Sequence, residues 1–103
     1  MAVTCTEQGS TLTATLTGEV DHHAARTLMT TLSAQVEAAL PMKLVLDLGG
    51  VTFMDSSGIA LVLRLYKRMG ELGGTLTLRA VPTQSAKVLK AAGIDRLVPW
   101  EGA

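Results

Sequence analysis

Two neighbouring serines, Ser56 and Ser57, stand between an aspartate and a glycine in the run Phe53-Met54-Asp55-Ser56-Ser57-Gly58. Hydroxyls in that setting can do three kinds of work. They can satisfy the N–H groups that every helix start leaves without intrahelical partners. One of them can be a nucleophile, which requires a base within hydrogen-bond reach and donors for a developing oxyanion. Or one can accept a phosphoryl group, gaining roughly −1.5 to −2 charge at pH 7 and three acceptor oxygens. The nucleophile has the least support. The GxSxG elbow is missing, because Met54 stands two positions before Ser56 and Asp55 two before Ser57. His22 and His23 are distant in the chain, and nothing in its order sets either beside Ser57. A dianion at a helix start is favoured by the helix dipole and by free N–H groups. The phosphoacceptor reading therefore predicts a fold that survives modification while its surface changes. Asp55 adds negative charge there, as does Asp21 if its loop lies alongside.

The elements around the serines are legible. Leu44 to Leu48 is a short, nearly continuous apolar run, the pattern of a buried strand. Gly49-Gly50 follows, then a second brief run from Val51 to Met54. From Ile59 the period becomes helical, with Ile59, Val62, Leu63, Tyr66 and Met69 on one face. Arg64, Lys67 and Arg68 leave that face and read as a solvated side near the negative end of the helix. Asp55 suits the N-cap of this helix. The serines thus fall on a first helical turn beyond the C-terminal end of a strand, the edge at which open α/β sheets meet ligands and partners. Asp47 interrupts an apolar strand and needs an edge position or N–H donors.

Upstream, Leu12, Ala14 and Leu16 alternate with threonines from Thr11 to Thr17, a half-exposed strand. The Gly9-Ser10 turn allows Val3 to Thr6 to pair with it. Gly18 is expected to break the strand, leaving Glu19-Val20-Asp21 as a loop. Asp21 caps a helix carrying Ala25, Leu28, Met29, Leu32, Val36, Ala39 and Leu40, which Pro41 ends. Downstream, Gly70, Gly73 and Gly74 close the second helix, and Thr75 to Ala80 reads as a strand. Thr83 is expected to cap a short helix with Ala86, Val88, Leu89 and Ala92, stopped by Gly93. Ile94 to Trp100 reads as an extended segment, confined to an edge by Pro99. The order β-β-α-β-α-β-α-(β) predicts an α/β fold with a mixed, mostly parallel sheet and right-handed crossovers.

With 103 residues the chain suffices for one domain and one core. Hydrophobic residues form 48% and charged residues 17%, the composition of a globular protein. Nine basic and nine acidic residues balance, so no basic excess points to nucleic acid. The single Cys5 excludes an internal disulfide and is expected to pack as a small apolar residue in a first strand. His22 and His23 are adjacent, a poor metal pair on a helix and more in keeping with a solvated first turn. The first residues lack the basic and apolar regions of a signal peptide, and Gly58 to Leu63 is too short to span a membrane. The expectation is a soluble, cytoplasmic protein.

Leu16-Thr17-Gly18-Glu19-Val20-Asp21-His22-His23 together with Phe53-Met54-Asp55-Ser56-Ser57-Gly58 and the apolar helix after it resemble the STAS-domain anti-sigma factor antagonists. The likeness runs from about Thr4 to Trp100 and is greatest to the sporulation antagonists that an anti-sigma kinase phosphorylates on serine. It implies a single STAS domain over 1–103, with helices packed against the sheet. It implies a non-enzymatic switch in which the unmodified protein binds an anti-sigma factor serine kinase and displaces the sigma factor. Phosphorylation would fall on the second serine, Ser57, and a serine phosphatase would reverse it. The implied partner surface comprises Gly18, Glu19, Asp21, His22, Asp55, Ser56, Ser57 and Gly58, with the exposed side of the following helix. No cofactor is implied for this chain: ATP belongs to the kinase, and no Walker loop or GxGxxG is present. Such family members usually carry a further C-terminal helix. Its apparent absence here is expected to uncover apolar surface near Trp100. Two readings compete: a STAS module of a stress-signalling or transporter-associated complex without phosphorylation, and a small hydrolase using Ser57.

Overall fold

The alternating leucines and threonines after Thr11 do form a strand, and its two edges set the sheet. In the computed structural model, which describes residues 2–101, the elements run β1 (Ala2–Gln8), β2 (Thr11–Val20), α1 (His22–Ala39), β3 (Lys43–Met54), α2 (Ser57–Glu71), β4 (Thr75–Arg79), α3 (Thr83–Ala91), α4 (Ile94–Leu97) and β5 (Trp100–Glu101). The five strands lie in chain order in one sheet. β1 pairs antiparallel with β2 across the Gly9-Ser10 turn, and every later pairing is parallel. The expected mixed, mostly parallel sheet is therefore present.

One parity of strand residues supplies the core. Leu12, Ala14 and Leu16 of β2, Leu44, Leu46 and Leu48 of β3, and Leu76 and Leu78 of β4 are buried. They join Leu28, Leu32 and Val36 of α1, Leu61, Val62, Leu65 and Met69 of α2, Leu89 of α3 and Ile94 of α4 in one cluster. Cys5 packs against it from β1, and burial pushes its thiol pKa up. Asp47 resolves its position with hydrogen bonds. One carboxylate oxygen accepts from the Gly49 N–H at 2.9 Å, and the other meets Arg79 at 3.1 Å on the neighbouring strand.

Several boundaries differ from the sequence expectation. β2 does not break at Gly18 but continues to Val20, because Gly18 takes φ +96°, a conformation costly for other residues, and the ladder resumes beyond it. β3 likewise runs through Gly49-Gly50 as one 12-residue strand. Its register against β2 shifts between Thr15 and Thr17 and again between Gly18 and Glu19. At each shift β3 spends one more residue than β2, the signature of a bulge, which bends and twists the strand end. α3 begins at Thr83 with Pro82 as its cap residue, so Thr83 is not the cap. Ile94 to Leu97 is a short helix rather than extended chain, and only Trp100 and Glu101 pair with β4. Pro41 acts as expected: Leu40 leaves the right-handed helical region for φ 45° and closes α1.

The buried stripe of α2 is also rotated from the expected one. Gly58, Leu61, Val62, Leu65 and Met69 face the core, while Leu63 and Tyr66 remain 39% and 38% exposed. The helix carries more apolar residues than its core contact uses, so periodicity alone could not choose among overlapping stripes. Arg68 is not simply solvated. It holds Glu37 of α1 through Nε at 2.7 Å and Nη2 at 2.6 Å, and it reaches Glu71 at 3.4 Å.

Candidate functional site

β2 and β3 run parallel and their ladder ends with Val20 opposite Met54, so the segments that follow leave the sheet at the same edge. That places Asp21-His22 beside Asp55-Ser56-Ser57, although more than thirty residues separate them. A backbone bond from the Asp55 N–H to the Val20 carbonyl, 3.2 Å, ties the two exits together.

Asp55 is the hinge pin of this arrangement. Oδ1 accepts from the Ser57 N–H at 2.8 Å and Oδ2 accepts from the His22 N–H at 3.2 Å. One carboxylate thus anchors the starts of both α1 and α2. The residue immediately before α2 is Ser56, in helical conformation and with no side-chain cap bond, so Asp55 does the capping from one position further back than expected. Its carboxyl is held below the ordinary carboxylate range, first by the Ser57 N–H and further by the Ser57 hydroxyl, the His22 N–H and the His22 charge. Asp21 caps α1 as expected, accepting from the Ala24 N–H at 2.9 Å.

The first-turn donors of α2 are already engaged. Beyond the Ser57 N–H, Gly58 donates to the Asp55 carbonyl at 3.0 Å and Ile59 to the Ser56 carbonyl at 3.1 Å. A group attached to the Ser57 hydroxyl would therefore meet the helix dipole but not a nest of empty N–H groups, contrary to the sequence expectation. Ser56 is exposed and Ser57 half-buried, whereas Gly58 is buried against Met54. Of the eight residues expected on a partner surface, Gly18, Glu19, Asp21, His22, Asp55, Ser56 and Ser57 come together at this edge with accessible atoms. Gly58 lies beneath them and acts through packing.

Ser57 also opens onto a groove of about 570 Å³ between α1 and α2, lined by Ala25, Arg26, Met29, Ala60 and Arg64 among others. Neither Arg26 nor Arg64 has a carboxylate partner among the described residues, so the groove is cationic over an apolar floor. A second groove holds Gly18, Glu19, Asp21 and His23. Hydrolase geometry does not assemble. His22 reaches the site through its backbone N–H, and its ring lies 4.0 Å from that of His23. No imidazole is hydrogen-bonded to either serine among the described residues, nor does any cluster there have metal-ligand composition.

Two features were not legible from the sequence. Arg26 and Arg64 come from different helices and meet only through the α1–α2 packing. Gln84, in the first turn of α3, places its amide against the Met54 backbone with two bonds of 2.8 Å.

The family model described as "Mlab, STAS domain" matches residues 3–99. The chain belongs to the STAS domain family. It is 35% identical over 86 residues to the anti-sigma F factor antagonist of Lysinibacillus sphaericus, covering 82% of this chain and 70% of that protein. The anti-sigma factor antagonist SpoIIAA in its unphosphorylated form superposes with a TM-score of 0.84, at 24% identity, over 98% of this STAS domain and 89% of that chain. The Bacillus cell fate determinant SpoIIAA in its phosphorylated form gives 0.75, at 24% identity, over 98% and 92%. These two structures share the fold of this STAS domain. The anti-sigma factor antagonists of this family are regulatory proteins, not enzymes. No helix among the described residues is long and apolar enough to cross a membrane.

Proposed function

We propose that this STAS domain is an anti-sigma factor antagonist whose binding to an anti-sigma factor serine kinase is switched by phosphorylation of Ser57. The observation that carries the proposal is the half-buried Ser57 at the start of α2. It sits on a backbone fixed by Asp55, where the Asp21 and Asp55 segments converge. The 35% identity to an anti-sigma F factor antagonist supports the partner class, and the phosphorylated form known for SpoIIAA supports the modification. The partner surface is Gly18, Glu19, Asp21, His22, Asp55, Ser56 and Ser57, with Gly58 as the packing beneath it. ATP is bound by the kinase, a serine phosphatase resets Ser57, and the sigma factor released directs transcription in sporulation. The cycle runs in the cytoplasm.

The physical switch is local. A phosphoryl group adds roughly −1.5 to −2 charge beside the ionised Asp55. A partner seated over the neutral hydroxyl would meet steric bulk and unpaired negative charge, and like-charge contacts across an interface are costly. Incubation with the kinase and ATP, followed by mass spectrometry, should show one phosphate on Ser57, abolished in Ser57→Ala. Ser57→Ala should bind the kinase constitutively, and Ser57→Asp at least about tenfold more weakly. No incorporation by a kinase active on another substrate would reject the switch and leave a STAS interaction module in which the serines serve the helix start.

A further inference from the structure

β3 is 12 residues long but its neighbour β4 only 5, and their pairing stops at Asp47 opposite Arg79. Among the described residues, Val51 to Met54 therefore have β2 on one edge and no strand on the other. Unpaired backbone groups at this depth need partners, since a buried donor or acceptor left alone is destabilising. For Met54 the partner is a side chain. Gln84 Oε1 accepts from the Met54 N–H at 2.8 Å, and Gln84 Nε2 donates to the Met54 carbonyl at 2.8 Å. An amide offers one acceptor and one donor side by side, as a residue of a neighbouring strand does. Only one orientation of the Gln84 amide satisfies both Met54 groups, so the contact fixes its own geometry.

The consequence falls on the serine segment. Met54 directly precedes Asp55, and its side chain lies where a Cβ on Gly58 would fall, 2.5 Å from its Cγ and Sδ. Met54 is thus fixed through its backbone by Gln84 and β2, and through its side chain by α2. We infer that Gln84 is a positioning residue for the Ser57 segment, its amide standing in for the missing strand so that Met54 presents Asp55, Ser56 and Ser57 in one conformation. Its importance for phosphorylation rests on the phosphoacceptor reading above, but its effect on the segment does not. Gln84 is itself exposed, in the first turn of α3, so it also makes the segment sensitive to anything that moves α3.

The test uses the full chain as wild type, Gln84→Ala and Gln84→Glu. Amide hydrogen exchange is read at Met54 and Ser57, with Leu44 and Leu46 in the centre of β3 as internal references. Loss of two hydrogen bonds should speed exchange at Met54 and Ser57 by about tenfold or more, with the reference amides unchanged. In Gln84→Glu an ionised carboxylate would set two acceptors against each other across the 2.8 Å contact with the Met54 carbonyl, and that repulsion should drive the side chain away from both Met54 groups. Protection should be lost at pH 7 and recover as the pH is lowered through about 4.3, where the protonated acid regains a donor. A residue that only stabilised α3 would show no such pH-dependent recovery at Met54. Exchange unchanged at Met54 and Ser57, or raised equally at Leu44 and Leu46, would overturn the inference. In the same samples, phosphorylation by the kinase should lose about tenfold in kcat/KM, mainly through KM. If the wild type takes up no phosphate, the phosphoacceptor reading fails while the exchange data still decide the role of Gln84. If it does and the variants match it in KM and kcat, positioning by Gln84 is rejected for the reaction.

Discussion

Replacing Gly58 with alanine sets two effects of known size against each other. Gly58 lies in the first turn of α2, where alanine is favoured over glycine by up to about 1 kcal/mol through backbone entropy. A Cβ there would come within 2.5 Å of Met54 Cγ and Sδ and 3.1 Å of its Cε. The far end of a methionine moves easily, but Cγ does not move without a change of rotamer near the backbone. Met54 is 1% exposed, and its main chain is paired with Val20 on one side and Gln84 on the other. Overpacking of this kind costs about 1–3 kcal/mol. The clash therefore at least offsets the propensity gain, and Gly58→Ala should destabilise by about 0–3 kcal/mol, lowering Tm by roughly 4–8 °C for each kcal/mol in a domain of this size.

A double-mutant cycle isolates the contact. Met54→Ala alone should cost about 2–5 kcal/mol, from lost burial and the cavity left behind. In that background the Cβ at position 58 has room, so Gly58→Ala should become neutral or stabilising by up to about 1 kcal/mol. Urea unfolding of the four proteins, with equal m-values, would give the coupling energy, expected at about 1–3 kcal/mol. An effect of Gly58→Ala with the same sign and size in both backgrounds would refute the packing argument and return the glycine to a matter of helix propensity.

Three further outcomes follow from the same geometry. Asp55 has its folded-state pKa lowered, chiefly by the Ser57 N–H, so its contribution to stability is fully present above the unfolded carboxylate value of about 3.9 and is lost as pH falls through the folded value. Tm measured from pH 7 to pH 2 should therefore show wild type and Asp55→Asn converging below about pH 4, and a constant difference would exclude the carboxylate as the source. Gly18→Ala forces a side chain into φ +96° and should destabilise by about 1–3 kcal/mol in urea, whereas a neutral result would mean that β2 can relax there without strain. Leu65→Ala should cost about 2–5 kcal/mol while Leu63→Gln stays within about 0.5 kcal/mol, and the reverse ranking would restore the apolar face expected from periodicity.

What the chain's own residues make legible is governed by range. Period-two alternation from Thr11 and the apolar run from Leu44 each report a sheet face directly, so the sheet and its mostly parallel order are readable. Asp21 and Asp55 are readable as helix-start residues because capping acts over two or three positions. Glycines mislead where the partner strand decides: Gly18 and Gly49-Gly50 look like breaks, but register shifts against the neighbouring strand carry the ladder past them. The choice of buried stripe on α2 depends on where α1 and the sheet sit, so Leu63 and Tyr66 were indistinguishable from Leu65 in advance. Gln84 leaves no local signal at all. A polar residue in an exposed first helical turn looks solvated until the short β4 reveals that Met54 needs a partner.

The hydrogen bonds of the serine segment also decide how a modification could act. The Ser57 N–H is committed to Asp55, and the next two N–H groups are committed to carbonyls within the turn. A phosphoryl group on Ser57 could recruit the Ser57 N–H only by displacing the Asp55 carboxylate, which also holds the start of α1 at His22. That exchange breaks two charge-assisted bonds of one carboxylate, so the lower-energy course leaves Asp55 in place and the dianion outside the turn. There it faces either solvent or the groove in which Arg26 and Arg64 have no carboxylate partner among the described residues. Either course would leave the sheet, the helix starts and Met54 in place. On the proposed phosphorylation of Ser57, the signal would be a change of charge and shape on a fixed surface, which a partner would detect by contact with that surface rather than through a refolded element.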